Sequence, residues 1–197
     1  MRPYDERLDH LLTQAARVFA ERGYHATTMR DLSRASGMSL AGMYYYVQGK
    51  EELLEKVQER AFSLVLDGAE RAIAGQAEPR ERLVAFIRHH VTFFAAHMYE
   101  MKVLSHEAGS LTGERLARVN ALKQRYVNVL LGLLGETAPD EVAAERTAAA
   151  YLLFGMMNWL YTWYDPGGTI DPERLAGLVT GIFLDGLLEA RFPVHGG

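Results

Sequence analysis

Residues 27–57 read TTMRDLSRASGMSLAGMYYYVQGKEELLEKV, and the architecture turns on this stretch. Thr28 is an N-cap residue with Asp31 three places on, a pairing that starts a helix by satisfying its first free backbone N–H groups. Gly37 ends that helix, and Ser39 caps a short second one that runs through about Val47. A helix, a turn of about four residues over 36–39 and a short helix form the helix-turn-helix layout. Leu32 and Ala35 give the first of these helices an apolar face, and Met38 and Met43 hold the second against it. Gly37 permits the positive φ that such a sharp corner demands. Small Ala41 and Gly42 let the backbone approach base edges closely. Tyr44, Tyr45 and Tyr46 have rings suited to thymine methyls and hydroxyls suited to phosphates. The plainer alternative is an αα-corner in which the three tyrosines are partly core.

Around this unit the apolar residues recur at helical spacing, with almost no strand-like alternation. Leu8, Leu11, Leu12, Ala15, Val18 and Phe19 form one stripe, which Gly23 stops. Lys50-Glu51-Glu52 opens a long helix to about Ala74, and Gly75 to Pro79 is the clearest internal break. Further helices are expected near 80–97, 99–108, 112–135, 139–164 and 172–191. Asp171 is the N-cap of the last and Pro172 its first residue. The prolines, Pro193 among them, fall at plausible helix edges. The fold class is therefore all-α. A three-helix head at 1–50 precedes a larger helical body at 51–197, a two-part division that suits a chain of 197 residues.

Composition narrows the function. The chain is 49% hydrophobic and 23% charged, as globular proteins are. It has no cysteine, which removes disulfides, thiolate metal sites and cysteine nucleophiles. Net charge is −4, yet residues 1–50 carry seven basic and five acidic side chains, leaving −6 for the remainder. A mildly basic head on an acidic body suits nucleic acid, since phosphate contacts need only a local positive surface. The N-terminus lacks the apolar core of a signal peptide. The most apolar later stretch, 151–164, is shorter than a membrane span. A cytoplasmic protein without membrane contact is expected.

Residues 27–57 also resemble the head of the TetR/AcrR family of transcriptional regulators, with Gly37, Tyr44 and Lys50 in register. The resemblance is close over about residues 8–57 and extends to the rest by length and helix count. It implies a ligand-responsive repressor that binds operator DNA as a homodimer. It further implies that Thr28 caps its helix beside a phosphate and that Ser39, Leu40, Ala41, Gly42 and Tyr45 face bases. Tyr44, Tyr46 and Lys50 would hold the DNA backbone. One departure is that the family's usual His-Phe pair is Tyr46-Val47 here.

The body has more apolar helix surface than one core needs. Phe154 to Tyr164 carries aromatic and methionine side chains around most of a helix, and Leu175, Leu178, Val179, Ile182, Phe183, Gly186 and Leu187 form a wide face on the next. The pair points to a four-helix dimer interface, with Gly155, Gly181 and Gly186 allowing close approach. Ordinary core is the alternative. Phe86, Val91, Phe93, Phe94, Met98, Met101, Leu104, Tyr126, Phe154, Met157, Asn158, Trp159, Tyr161 and Trp163 are candidates for an elongated apolar effector pocket. Methionine suits a pocket that accepts varied chains. The run Gly155-Met-Met-Asn-Trp-x-x-x-Trp-Tyr164 resembles relatives that sense acyl-CoA thioesters. For such an effector, Arg88, Lys102, Lys123, Arg125 and Arg146 are candidate phosphate partners. The helix from Lys50 to Ala74 is the expected lever between effector and head.

Catalytic and metal readings find less support. His90 and His97 lie two helical turns apart, too far for the i, i+4 spacing of a zinc helix. No Gly-x-Ser-x-Gly elbow or phosphate-binding glycine loop occurs. No catalytic residue, metal or cofactor is expected. A helical enzyme, or a small-molecule-binding protein without DNA affinity, is the alternative function.

Overall fold

A computed structural model describes residues 3–189, with side chains from Glu6 to Gly186. The described residues form nine α-helices: α1 (Pro3–Arg22), α2 (Met29–Ser36), α3 (Leu40–Tyr44), α4 (Lys50–Ala74), α5 (Pro79–Ala96), α6 (Met98–His106), α7 (Gly113–Thr137), α8 (Ala143–Asn158) and α9 (Pro172–Glu189). A 3-10 turn, Trp159–Thr162, follows α8. The all-α expectation holds. The expected end of the last helix at 191, the Leu187 side chain and Pro193 lie outside the described residues.

The chain divides into two compact units. One comprises residues 1–67 and 97–127, the other 68–96 and 128–197. In the first, α1, α2, α3 and the first half of α4 share a core with parts of α6 and α7. Leu11, Ala15, Phe19, Leu32, Met43, Leu53, Leu54 and Val103 are almost wholly buried there. Burying side chains of this size stabilises by roughly 1.5–3 kcal/mol each. In the second unit, Leu83, Phe86, Ile87, Val91 and Phe94 of α5 are buried, as are Leu153, Phe154 and Met157 of α8. Leu175, Val179 and Phe183 of α9 complete that core.

The caps read from the sequence are present. Asp31 N–H donates to the Thr28 hydroxyl at 3.2 Å, and Thr28 N–H donates to the Asp31 carboxylate at 3.0 Å. The Thr28 hydroxyl, which donates to the same carboxylate at 2.5 Å, and then the Thr28 N–H, with Arg34 and Arg22 beyond them, hold the Asp31 carboxyl below the usual carboxylate range. Asp171 caps α9 through Arg174 N–H at 2.8 Å. The α3 helix ends at Tyr44 and not at about Val47, and the largest differences from the sequence reading are at the two ends of α8. The chain makes turns over 139–142, so α8 starts at Ala143 and not at 139. It also leaves α-helix geometry at Asn158 for the 3-10 turn and does not continue to 164. Tightened final turns of this kind satisfy carbonyls that have lost their i+4 partners.

Gly37 sits at φ 68°, and a Cβ added there would meet nothing within 4 Å. Any cost of a side chain is therefore backbone strain alone. Gly37→Ala should lower the unfolding free energy by about 1–2 kcal/mol, read by chemical denaturation. Gly37→Asn should cost less, because asparagine tolerates the left-handed region.

Candidate DNA-binding and effector sites

The turn from α2 to α3 is held by short contacts. The Ser33 hydroxyl donates to the Met38 carbonyl at 2.5 Å, and Gly42 N–H donates to the Ser39 hydroxyl at 3.1 Å. Met43 is completely buried, which fixes the inner face of α3. Outward from it, Tyr44 is 53% and Tyr45 73% exposed. Thr28, Ser39 and Ala41 are exposed too, whereas Leu40 and Gly42 are half-buried. Tyr46 packs on the core, its ring 5.2 Å from that of Tyr45 and nearly perpendicular to it. Large aromatic side chains left in solvent make a surface for stacking, and their hydroxyls can meet phosphates.

The Lys50 ammonium is directed at the chain's own backbone. It donates to the carbonyls of Tyr24 and Thr27, each at 2.8 Å, with the His25 carbonyl at 3.4 Å. It also lies 4.3 Å from the centre of the Tyr24 ring. An ammonium has three donors, and all three are directed at the loop that precedes Thr28. Its part is to position the α2 N-terminus.

Glu107 grips the same loop from the other side, and the sequence reading passed over this role. The carboxylate accepts from Tyr24 N–H at 2.9 Å and from the Ser110 hydroxyl at 2.6 Å. The Glu107 carbonyl accepts from the Gln58 amide at 3.1 Å. Nearby, buried Glu55 accepts from Arg115 and, at 2.5 Å, from Arg118. Arg60 joins Asp9 at 2.7 Å and Glu100 at 3.6 Å. No feature of local sequence marks this role of Glu107, because Tyr24 lies 83 residues away and Gln58 lies 49 away.

The expected effector residues divide between the two units. Met98, Met101, Leu104 and Tyr126 belong to the first. Met101 and Tyr126 are buried there, and burial pushes the Tyr126 hydroxyl well above its ordinary pKa. Phe86, Phe93, Phe94, Phe154, Met157, Asn158, Trp159, Tyr161 and Trp163 belong to the second. Phe86, Phe94, Phe154 and Met157 are core residues. Trp159 and Trp163, expected to line a pocket, are 61% and 56% exposed, and Trp159 continues the exposed stripe of Tyr151, Leu152, Gly155 and Asn158 along α8. Of the proposed cations, Arg88 pairs with Glu173 at 2.5 Å. Arg146 lines an apolar groove of about 530 Å³ with Leu134, Ala138, Ala148, Leu152, Met156, Ile182, Phe183 and Gly186.

The sequence reading weighs His90 only as a metal ligand, and the fold places it within the second core. His90 is 1% exposed, with its ring 4.8 Å from Phe94, 5.8 Å from Phe154 and 6.4 Å from Phe86. Burial pushes its pKa down to about 3, against a hydrogen bond with Asn158 that favours the charged form. Among the described residues no three His, Asp or Glu side chains come together as metal ligands would.

Comparison with known proteins places this geometry. Residues 11–57 match the model of the bacterial regulatory proteins of the tetR family. Residues 76–187 match a tetracyclin repressor-like C-terminal domain. The chain belongs to the TetR family. It is 28% identical over 187 residues to the HTH-type transcriptional repressor KstR2 of Rhodococcus jostii, covering 92% of this chain and 91% of that one. AibR, crystallised with isovaleryl coenzyme A and operator DNA, superposes with a TM-score of 0.80 at 30% identity, covering 89% of this chain and 97% of AibR. A TetR-family transcriptional regulator of Bordetella parapertussis reaches 0.86 at 27% identity, over 92% of this chain and 95% of that one. This TetR protein is thus a DNA-binding transcription regulator. Among the described residues no helix is long and apolar enough to cross a membrane.

Two measurements test these assignments. Lys50→Met should weaken DNA binding by about tenfold, as losing charge-assisted hydrogen bonds would, while the slope of log affinity against log salt stays unchanged. A lysine on a phosphate would lower that slope by about one. His90 gives an acid dependence. The unfolded chain takes up its proton near pH 6.5 and the folded chain only near 3, so the contribution is intact above 6.5 and is lost as pH falls between these values. Unfolding free energy should drop there by up to about 1.4 kcal/mol per pH unit. His90→Phe should remove that component from a pH series of urea denaturations.

Proposed function

We propose that this chain is a homodimeric, cytoplasmic, non-enzymatic repressor that binds a near-palindromic operator and is released by an amphipathic effector, an acyl-CoA. The observation that carries the DNA half is the α2–Gly37–α3 turn, with Ser39 capping α3 and Tyr44 and Tyr45 in solvent at its far end. In this reading residues 1–50 are the DNA-binding domain and 51–197 the effector-binding and dimerising domain. Thr28 caps α2 beside a phosphate. Ser39, Leu40, Ala41, Gly42 and Tyr45 meet bases, Tyr44 and Tyr46 hold the backbone, and Lys50 acts through the loop it fastens. The effector half rests on AibR, whose crystals hold isovaleryl coenzyme A together with operator DNA.

The dimer follows from surface chemistry. Leu152 is 69% and Ile182 66% exposed, on α8 and α9, flanking the 530 Å³ groove. A Cβ added at Gly155 or Gly186 would meet nothing of this chain within 4 Å. Exposed aliphatics beside such open glycines suit the close approach of a second copy. A two-fold dimer sets its recognition helices about 34–36 Å apart, one turn of the major groove.

Ile182→Asp should convert the dimer to a monomer in light scattering and cost operator affinity by at least about tenfold, while leaving helicity intact. The function itself is tested by fluorescence anisotropy on DNA from upstream of the protein's own gene, over a salt series with and without acyl-CoA. Tight, sequence-dependent binding abolished by the thioester is the expected result. Binding indifferent to every acyl-CoA would discard the effector. Failure also in a random-sequence selection would discard the operator.

A further inference from the structure

The polar pair formed by His90 and Asn158 has no use in the DNA interface and none in the outer groove. His90 lies mid-helix on α5, enclosed by Phe86 and Phe94 of its own helix and Phe154 of α8. A phenylalanine there would pack on three aromatic neighbours without the penalty of burying an imidazole. What the imidazole gains in return is a hydrogen bond to Asn158, the last residue of α8, which is itself exposed. The pair therefore connects solvent with the aromatic interior at the point where α8 breaks into the 3-10 turn.

That arrangement has the form of an exchange site. An exposed amide can leave the imidazole for water and lose little, because one hydrogen bond replaces another. The imidazole cannot follow. It needs an oxygen or nitrogen to take the amide's place, delivered into an apolar surround. The adenosine phosphates of a coenzyme A thioester carry too much charge to enter such a core, so only its acyl end can supply that atom.

We propose that His90 is the residue that reads the effector, by hydrogen-bonding a carbonyl or hydroxyl oxygen on the acyl end that displaces Asn158. This rests on the acyl-CoA reading above. The oxygen is either that of the thioester or one farther along the chain, and both have the same chemistry toward an imidazole. A site built around such a hydrogen bond discriminates strongly against ligands that cannot make it. Phe86, Phe94 and Phe154 then select for an apolar acyl body around that oxygen.

The test uses the full-length protein on its operator, with octanoyl-CoA and 7-oxooctanoyl-CoA as probes and the concentration for half-release as readout. His90→Phe should leave DNA affinity without effector unchanged and raise the half-release concentration at least tenfold. An increase for both probes assigns the contact to the thioester; an increase for the ketone alone assigns it to the chain oxygen. Asn158→Ala should lower the half-release concentration, since it removes the competitor, even if it lowers Tm. A wild-type protein that responds to a probe while His90→Phe responds identically overturns the proposal, leaving the pair a packing feature. Loss of response in Asn158→Ala equal to that in His90→Phe overturns the displacement. A wild-type protein released by neither thioester overturns the acyl-CoA reading and this one with it.

Discussion

The loop from Tyr24 to Thr27 is the constraint on which the recognition unit depends. It has only four residues and no regular structure, yet it sets the N-terminus of α2 and so the direction of everything to Val47. Its carbonyls converge on the Lys50 ammonium, and its first N–H is taken by the Glu107 carboxylate. Donor and acceptor sides are thus fastened by two charges of opposite sign that arrive from different helices. Hydrogen bonds to charged groups contribute about 1.5–3 kcal/mol each, more than the neutral bonds that hold most loops. A small shift of the segment following α6 would pull on Tyr24, while Lys50 ties the same loop to the start of α4. The carboxylate and the ammonium act on one element, so the loop cannot drift without breaking one of them.

The two compact units treat buried polarity differently. In the first, Glu55 and Glu107 are charged acceptors supplied with matching donors, Arg115 and Arg118 for one and backbone and hydroxyl groups for the other. Such groups pin geometry, because removing one partner leaves the other desolvated and unsatisfied. In the second, His90 is kept neutral by burial and bonds an exposed amide, that of Asn158. A neutral pair with one solvent-facing member is cheaper to open than a buried ion pair. The first unit is accordingly built to hold a shape, and the second contains a polar contact that can change partners.

The parts legible in the sequence are those whose physics is local. Thr28 with Asp31, Gly37, Ser39 and Asp171-Pro172 each determine the backbone within four residues of themselves, and each cap lies where the spacing places it. The apolar stripe from Leu8 to Phe19 gave the α1 core face for the same reason. What the sequence hid is non-local. Lys50 reads as a basic residue at a helix start, suited to a phosphate, until the fold brings the Tyr24 and Thr27 carbonyls to it across more than twenty residues. Glu107 and His90 were lost among other charges and histidines, since burial is a tertiary property. The α8 reading ran too long, since the 3-10 turn begins at Trp159, and the apolar period from Phe154 to Tyr164 does not say which face meets the core: Tyr151, Leu152, Gly155, Asn158 and Trp159 form the exposed stripe.

The brevity of α3 gives these long-range contacts their importance. Five residues make barely more than one turn, and an isolated helix of that length is unstable in water because nucleation is costly. Its conformation is borrowed from Met43 in the core, the Ser39 cap and the Ser33 bond to the turn. Met43 and the Ser33 bond tie it to the core and to α2, and α2 is anchored by the Tyr24–Thr27 loop. The recognition surface is therefore a tertiary object with little helical stability of its own. In the function proposed above, sensitivity to small displacements follows from a DNA-reading element too short to stand alone.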